Sequence, residues 1–158
     1  AISNNFLTMN TILQNIKTQL EKVSELKYID EDWGQLNIYG MEIPVKWPCA
    51  LVRLTNASFS NIGTNIRANP INRQEGNLSF EIIIAKVKLT NSSNRAPINQ
   101  QTKAFDIWEL IEKVHQVLQG WSPTEHTGKL IRTSIGSTKR DDGIQEIRIV
   151  YICGIHDY

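Results

Sequence analysis

The sequence has little cysteine: Cys49 and Cys153 are the two in 158 residues, too few for a disulfide framework. It has no apolar run near the roughly 18–20 residues that span a bilayer. The opening AISNNFLTMN lacks a basic stretch followed by a continuous hydrophobic one, so it does not read as a secretory leader. Reduced thiols in a cytosolic setting are the expectation. Excess charge is missing too, with 17 basic against 16 acidic side chains and a net charge of +1. That balance supplies no dense basic surface for phosphates and argues against specific nucleic-acid binding. Lys139 and Arg140 form a local basic pair, but Asp141 and Asp142 stand beside them and reduce its field.

Catalytic signatures are equally scarce. There is no G-x-S-x-G and no G-x-G-x-x-G. In IGSTKRDDG the lysine follows the hydroxyl residues, the reverse of a phosphate-binding loop, and a hairpin follows instead of a helix. The carboxylates of DEDW, Asp30 to Trp33, supply only fragments of a calcium loop and read as a solvated turn. Cys153 and His156 have C-x-x-H spacing, but residues three apart on a strand point to opposite faces. A Cys49–Cys153 disulfide would require their strands to be adjacent. His115 has Glu112 one turn before it and sits at the edge of an apolar stripe. With no nucleophile or pocket motif around it, it reads as a boundary histidine, and His115→Ala is expected to be nearly silent. The expectation is therefore a chain without cofactor, metal or enzymatic activity. The rival enzyme reading would use His115 or His126 with an acidic partner.

What is present is a clear order of elements. Ile2, Phe6, Met9, Leu13, Ile16, Leu20 and Val23 recur at spacings of three and four, one apolar stripe along a helix ending near Lys27. Ser3, Asn4 or Asn5 can cap it. Pro44 and Pro48 bracket an extended entry to a strand from Cys49 to Thr55, with Ala50, Val52 and Leu54 on one face and Arg53 on the other. Ala57 to Asn77 reads as a long polar loop. Leu78 to Thr90 is apolar on both faces, which suggests a central strand covered on both sides. After the polar stretch Asn91 to Lys103, Ala104, Ile107, Trp108, Ile111, Val114 and Leu118 define a second helix. Gly120 is placed as its left-handed cap, and Pro123 follows. Lys129 to Thr138 predicts a strand with Ile131, Thr133 and Ile135 on one face. In the last strand Ile147, Ile149, Tyr151, Cys153 and Ile155 alternate against Glu146, Arg148, Val150 and Ile152. KRDDG supplies the turn between them. The expected fold is a single α+β domain over residues 1–158. Its order is α-β-β-α-β-β, with two β-hairpins forming a mainly antiparallel four-stranded sheet packed with two main helices, and with possible short strands near Leu36 to Tyr39.

The phrases KYIDEDWGQL, VKWPCALVRL, FDIWELIEKVHQVLQGW and IVYICGIHD, in this order of helix, long-looped hairpin, helix and hairpin, resemble the small tail-terminator or tail-completion (minor tail) proteins of tailed bacteriophages, including prophage copies. The resemblance runs from about Phe6 to Asp157. It implies a non-enzymatic protein that forms a ring, commonly a hexamer, on the end of the tail tube and stops its growth. It also implies contact with the tail tube protein and head-tail connector proteins, assembly in the host cytoplasm and residence in the virion tail, with no membrane involvement. An adaptor module of another machine, such as a contractile injection system, is the alternative. Head-to-tail ring contacts require two different patches on each subunit. The polar loops and the Trp33–Trp47 segment are the candidate interface, with Trp33, Trp47, Phe59, Ile62, Ile66, Arg67, Arg73 and Arg95 as its residues.

Overall fold

A computed structural model describes residues 8–38, 43–62, 74–87 and 106–156. Helix α1, Met9–Leu20, begins where the Thr8 side chain accepts from the Thr11 amide at 3.2 Å. The cap candidates Ser3, Asn4 and Asn5 lie outside the described residues, as do Ile2 and Phe6. Strand β1, Tyr28–Glu31, leads to a 3-10 turn at Gln35–Asn37. The hairpin strands β2, Cys49–Asn61, and β3, Gln74–Val87, come next, with a cis Trp47–Pro48 peptide just before β2. Helix α2, Asp106–Leu118, precedes β4, Ile131–Thr138, and β5, Ile144–His156. Neither helix is long and apolar enough to cross a membrane.

Among the described residues the sheet has five strands in the order β1-β2-β3-β5-β4, with β1 parallel to β2 and every other pair antiparallel. The expected four-stranded antiparallel sheet with order α-β-β-α-β-β is therefore wrong. The missing element is β1, in which Tyr28 to Glu31 pair with Cys49 to Val52. Its four residues are half-buried or exposed and end on Asp30 and Glu31, so no apolar alternation announces them. What makes them a strand is the long-range partner. The Lys27 amide donates to the Pro48 carbonyl at 2.9 Å and the Asp32 amide to the Val52 carbonyl at 2.8 Å. A parallel neighbour needs the chain to return to the same end of the sheet, and residues 32–48 make that return. Near Leu36, expected as a short strand, the chain forms the 3-10 turn; Tyr39 lies outside the described residues.

Both helices lie on one face. Ile12, Leu13, Ile16 and Leu20 of α1 and Ile107, Leu110, Ile111, Val114 and Leu118 of α2 pack on Ala50, Val52, Phe80, Ile82, Ile84, Ile147, Ile149 and Tyr151. Polar side chains of α1 fasten it to α2 and the segment after it. Asn15 Nδ2 donates to the Pro123 carbonyl at 2.8 Å, and Gln19 Nε2 to that of Val117 at 2.7 Å. On the opposite face a smaller core forms where Tyr28, Leu36, Ile43, Val45 and Trp47 cover Cys49, Leu51, Ile83, Ala85 and Ile144. Strand β3 thus lies in the middle of the sheet with cover on both faces of its second half, as its two-sided apolar pattern predicts. Gly120, with φ +75°, and Gly143, with φ +78°, stand at the expected ends of α2 and of the final turn.

Three further expectations are corrected. The hairpin arms extend into the stretch read as loop, since β2 continues to Asn61 and β3 starts at Gln74. There Asn56, Ser58 and Ser60 pair with Ser79, Asn77 and Glu75, and strands exposed on both faces carry the polar composition of loops. Trp108 is 45% exposed, and Leu110 takes the buried place on α2. Ile131 and Ile135 do not share a face. Ile131 pairs with Ile152 and Ile135 with Ile149, because the register slips at Thr133, and one extra residue reverses every side chain beyond it.

Candidate functional site

On the face away from the helices, β5 and its turn carry a linked set of charges. Arg140 pairs with Asp142 at 2.5 Å and with Glu146 at 3.5 Å, and it donates to the Leu36 carbonyl. Arg148 pairs with Glu81 at 2.5 Å and with Glu146 at 3.4 Å, and its Nε donates to Thr138 Oγ1 at 3.1 Å. Glu146 is only 2% exposed and accepts from both guanidinium groups, which is how a carboxylate is tolerated there. The Arg140 hydrogen bond holds the Asp142 carboxyl below its ordinary range. Around this set lies a hollow of about 290 Å³, lined by Asp32, Gly34, Asn37, Arg53, Glu146 and Arg148 among others. The charges pair internally, so the cluster fastens the β4–β5 turn to residues 35–37 and does not display one sign.

The histidines follow their own geometry. His115 Nδ1 lies 3.0 Å from the Tyr151 hydroxyl, so its partner is a buried phenol on the sheet and not Glu112. Burial first, and then the Arg132 charge, lowers the His115 pKa, with Glu112 opposing. Burial pushes Tyr151 up to about 12. His126 meets His156 edge-on, with ring centroids 5.5 Å apart. Cys153 faces the helices whereas His156 points to the other face. Cys49 and Cys153 are free, lie on opposite faces and are separated by β3; burial raises their thiols to about 12 and about 11. Such thiols remain protonated at neutral pH and are poor nucleophiles.

Among the expected interface residues, the described ones, Trp33, Trp47, Phe59 and Ile62, stand at separate places. Trp33 is 58% exposed on the turn after β1. That turn is fixed by Gln35, which is fully buried: its Oε1 accepts from the Trp33 amide at 2.9 Å and its Nε2 donates to the Glu31 carbonyl at 3.0 Å. Gly34, at φ +94°, provides the left-handed step. Trp47 is half-buried in the smaller core. Phe59, 39% exposed, and Ile62, 41% exposed, stand at the far end of β2. They are roughly 20 Å or more along the strand from Val52, beside which Trp33 begins. Ile66, Arg67, Arg73 and Arg95 lie outside the described residues. Sequence reasoning missed Trp108, Ile131, Ile135 and Ile152, all at least 40% exposed. Ile131 and Ile152 are direct cross-strand partners on the face without helices. Alternation already places Ile152 on the Glu146–Arg148 side of β5, whereas Ile131 reaches that face only because of the slip at Thr133.

No family model matches the chain, and no curated protein matches it. Among solved structures, a chain described as "Virion of native gene transfer agent (GTA) particle" shows a weak likeness, with a TM-score of 0.43 and 9% identity. The match covers 89% of this chain and 91% of that one.

Proposed function

We propose that this chain is a non-enzymatic virion assembly protein that forms a ring on the end of a phage tail tube and helps join tail to head or neck. The reading starts from the resemblance of its element order and short phrases to tail-terminator proteins. The observation that carries it is the placement of exposed apolar side chains. Trp33 sits on a braced turn beside β1, Phe59 and Ile62 at the end of β2, and Ile131 and Ile152 near the other edge. Large apolar groups held outward at separate places suit a subunit that meets unlike surfaces on its neighbours. The implied partners are further copies of the chain, the tube protein and connector proteins, with assembly in the host cytoplasm before incorporation into the virion.

Size-exclusion chromatography with light scattering, alone and with tail tube subunits from the same genome, tests this. A closed ring, formed alone or on the tube, is expected; a strict monomer under both conditions would overturn the reading. Flanking tube and portal genes are also expected, and sheath genes of an injection system would move the protein to that machine.

A further inference from the structure

Among the described residues the sheet has two edges with stretches that no strand flanks. On β2, β1 covers only Cys49–Val52, and among the described residues no strand flanks Arg53–Asn61 on that side. At the opposite edge the start of β4 is covered. Leu130 exchanges backbone bonds with Gly120 and Trp121, and Gln119 Oε1 accepts from the Arg132 amide at 2.9 Å. Beyond that point no described strand flanks Thr133–Thr138. The two register slips fall near the start of these open stretches, at Thr55 two residues past Arg53 and at Thr133.

An open edge presents a row of backbone donors and acceptors that only another extended backbone satisfies, and folded proteins usually guard it with charge or proline. Here charge and proline are missing, and a register slip near the start of each stretch is the one such device in the described strands. Thr55–Ile62 and Thr133–Thr138 contain no charged residue and no proline, although 21% of the chain is charged. Apart from Phe59 and the two isoleucines, every residue in them is a small or hydrogen-bonding one. Two edges without charge or proline on opposite sides of one sheet point to strand pairing in the working state.

We propose that these edges are the two halves of one seam: Thr133–Thr138 of one copy adds beside Thr55–Asn61 of a second copy and continues the sheet head to tail. The strand directions fit. β5 runs with β2, and β4 runs against β5, so a neighbour placed by sheet continuation meets β4 antiparallel to its β2. The faces fit as well, since Ile135 and Phe59 are both on the helix side of their strands and would come onto one side of the seam. Through the register, Ser134 is level with Arg53 and Thr138 with Cys49. Reaching Thr55–Asn61 therefore steps each copy by about six residues, roughly 20 Å, along the strands. A stagger of this kind is what closing a sheet into a ring requires. The seam rests on the ring reading and specifies its contact.

Two full-length variants test it, Ser134→Lys/Ser137→Lys on β4 and Ser58→Lys/Ser60→Lys on β2; all four serines are exposed. Circular dichroism is expected to match the wild type for both. Under conditions where the wild type forms rings, each variant alone is expected to remain monomeric, and an equimolar mixture to stop at twice the monomer mass, since one intact pair of edges remains. Rings from either variant alone would overturn the seam and leave the ring reading standing. A β4 variant that stays monomeric beside a β2 variant that stops at a dimer would point to symmetric β4–β4 pairing and also overturn it. A wild type monomeric both alone and with tube subunits would overturn both proposals.

Discussion

His115 and Tyr151 meet across the interface between α2 and the sheet, Nδ1 to hydroxyl at 3.0 Å, with Tyr151 fully buried. That bond joins the second helix to β5 at a point where apolar packing alone would leave a phenol without a partner. Replacing His115 with alanine is therefore not silent. Stranding a buried hydroxyl costs about 1–3 kcal/mol. Chemical denaturation of His115→Ala is expected to show a loss in that range. The loss should be smaller in the Tyr151→Phe background, where no hydroxyl remains to satisfy, and equal losses in both backgrounds would refute the account.

The same histidine gives stability a pH dependence. Its folded pKa is lowered by burial and by Arg132, so between the folded value and the unfolded value near 6.5 the unfolded chain binds the extra proton. The stability contribution is complete above about pH 6.5 and declines as pH falls through that window. Urea midpoints across the acid range are expected to fall more steeply for the wild type than for His115→Gln.

On α2, position and not residue size sets the cost of substitution. Ile111 is fully buried whereas Trp108 is 45% exposed. Ile111→Ala is expected to lose about 2–5 kcal/mol, and Ile111→Asp to prevent folding by placing a charge in the core. Trp108→Ala is expected to stay within about 0.5 kcal/mol of the wild type. Thermal melts of the three variants check the ranking.

Glu146 joins two arginines, so its loss touches both. Arg140 retains Asp142 and Arg148 retains Glu81, which reduces the damage below the ~3–5 kcal/mol of a stranded buried charge. Glu146→Gln is expected to cost about 1–3 kcal/mol by the hydrogen-bond measure. Lys113→Ala, which breaks an exposed pair with Glu25, should leave the melting temperature unchanged.

Gly76 lies opposite Phe59 in the hairpin, and a Cβ there would fall 1.9 Å from the Ser58 carbonyl oxygen. Gly76→Ala must push the strands apart and is expected to cost about 1–3 kcal/mol. Gly136→Ala meets nothing within 4 Å and should be tolerated. Calorimetry of the two variants separates crowding from the general effect of adding a methyl group.

The parts of this fold visible in the sequence are those whose burial is one-sided or complete. β5 alternates from Ile144 to Ile155 because one face lies under the helices, and β3 is apolar on both faces because both are covered. Gly120 and Gly143 mark ends through their backbone angles. β1 escaped because a parallel edge strand of four residues depends on a partner about twenty positions away. The far halves of β2 and β3 escaped because polar residues exposed on both sides carry no period. For the candidate surface, Trp33, Phe59 and Ile62 were legible as apolar residues in polar surroundings, and the structure leaves them exposed. Trp47 instead joins a core. The face of Ile131 was hidden because a one-residue slip has no hydropathy signature, while Ile152 lies on the side of β5 that its alternation gives.

The central place of β3 has a further consequence for how the molecule breathes. Amides from Ile82 to Ala85 have strands on both sides and side-chain cover above and below, so only opening of the whole sheet should release their protons to solvent. Deuterium should reach them last, while the amides of Thr133–Thr138 exchange through local fraying in the isolated chain. Slowed exchange upon assembly at that edge and at Thr55–Asn61 would show which parts of the subunit become ordered by its neighbours.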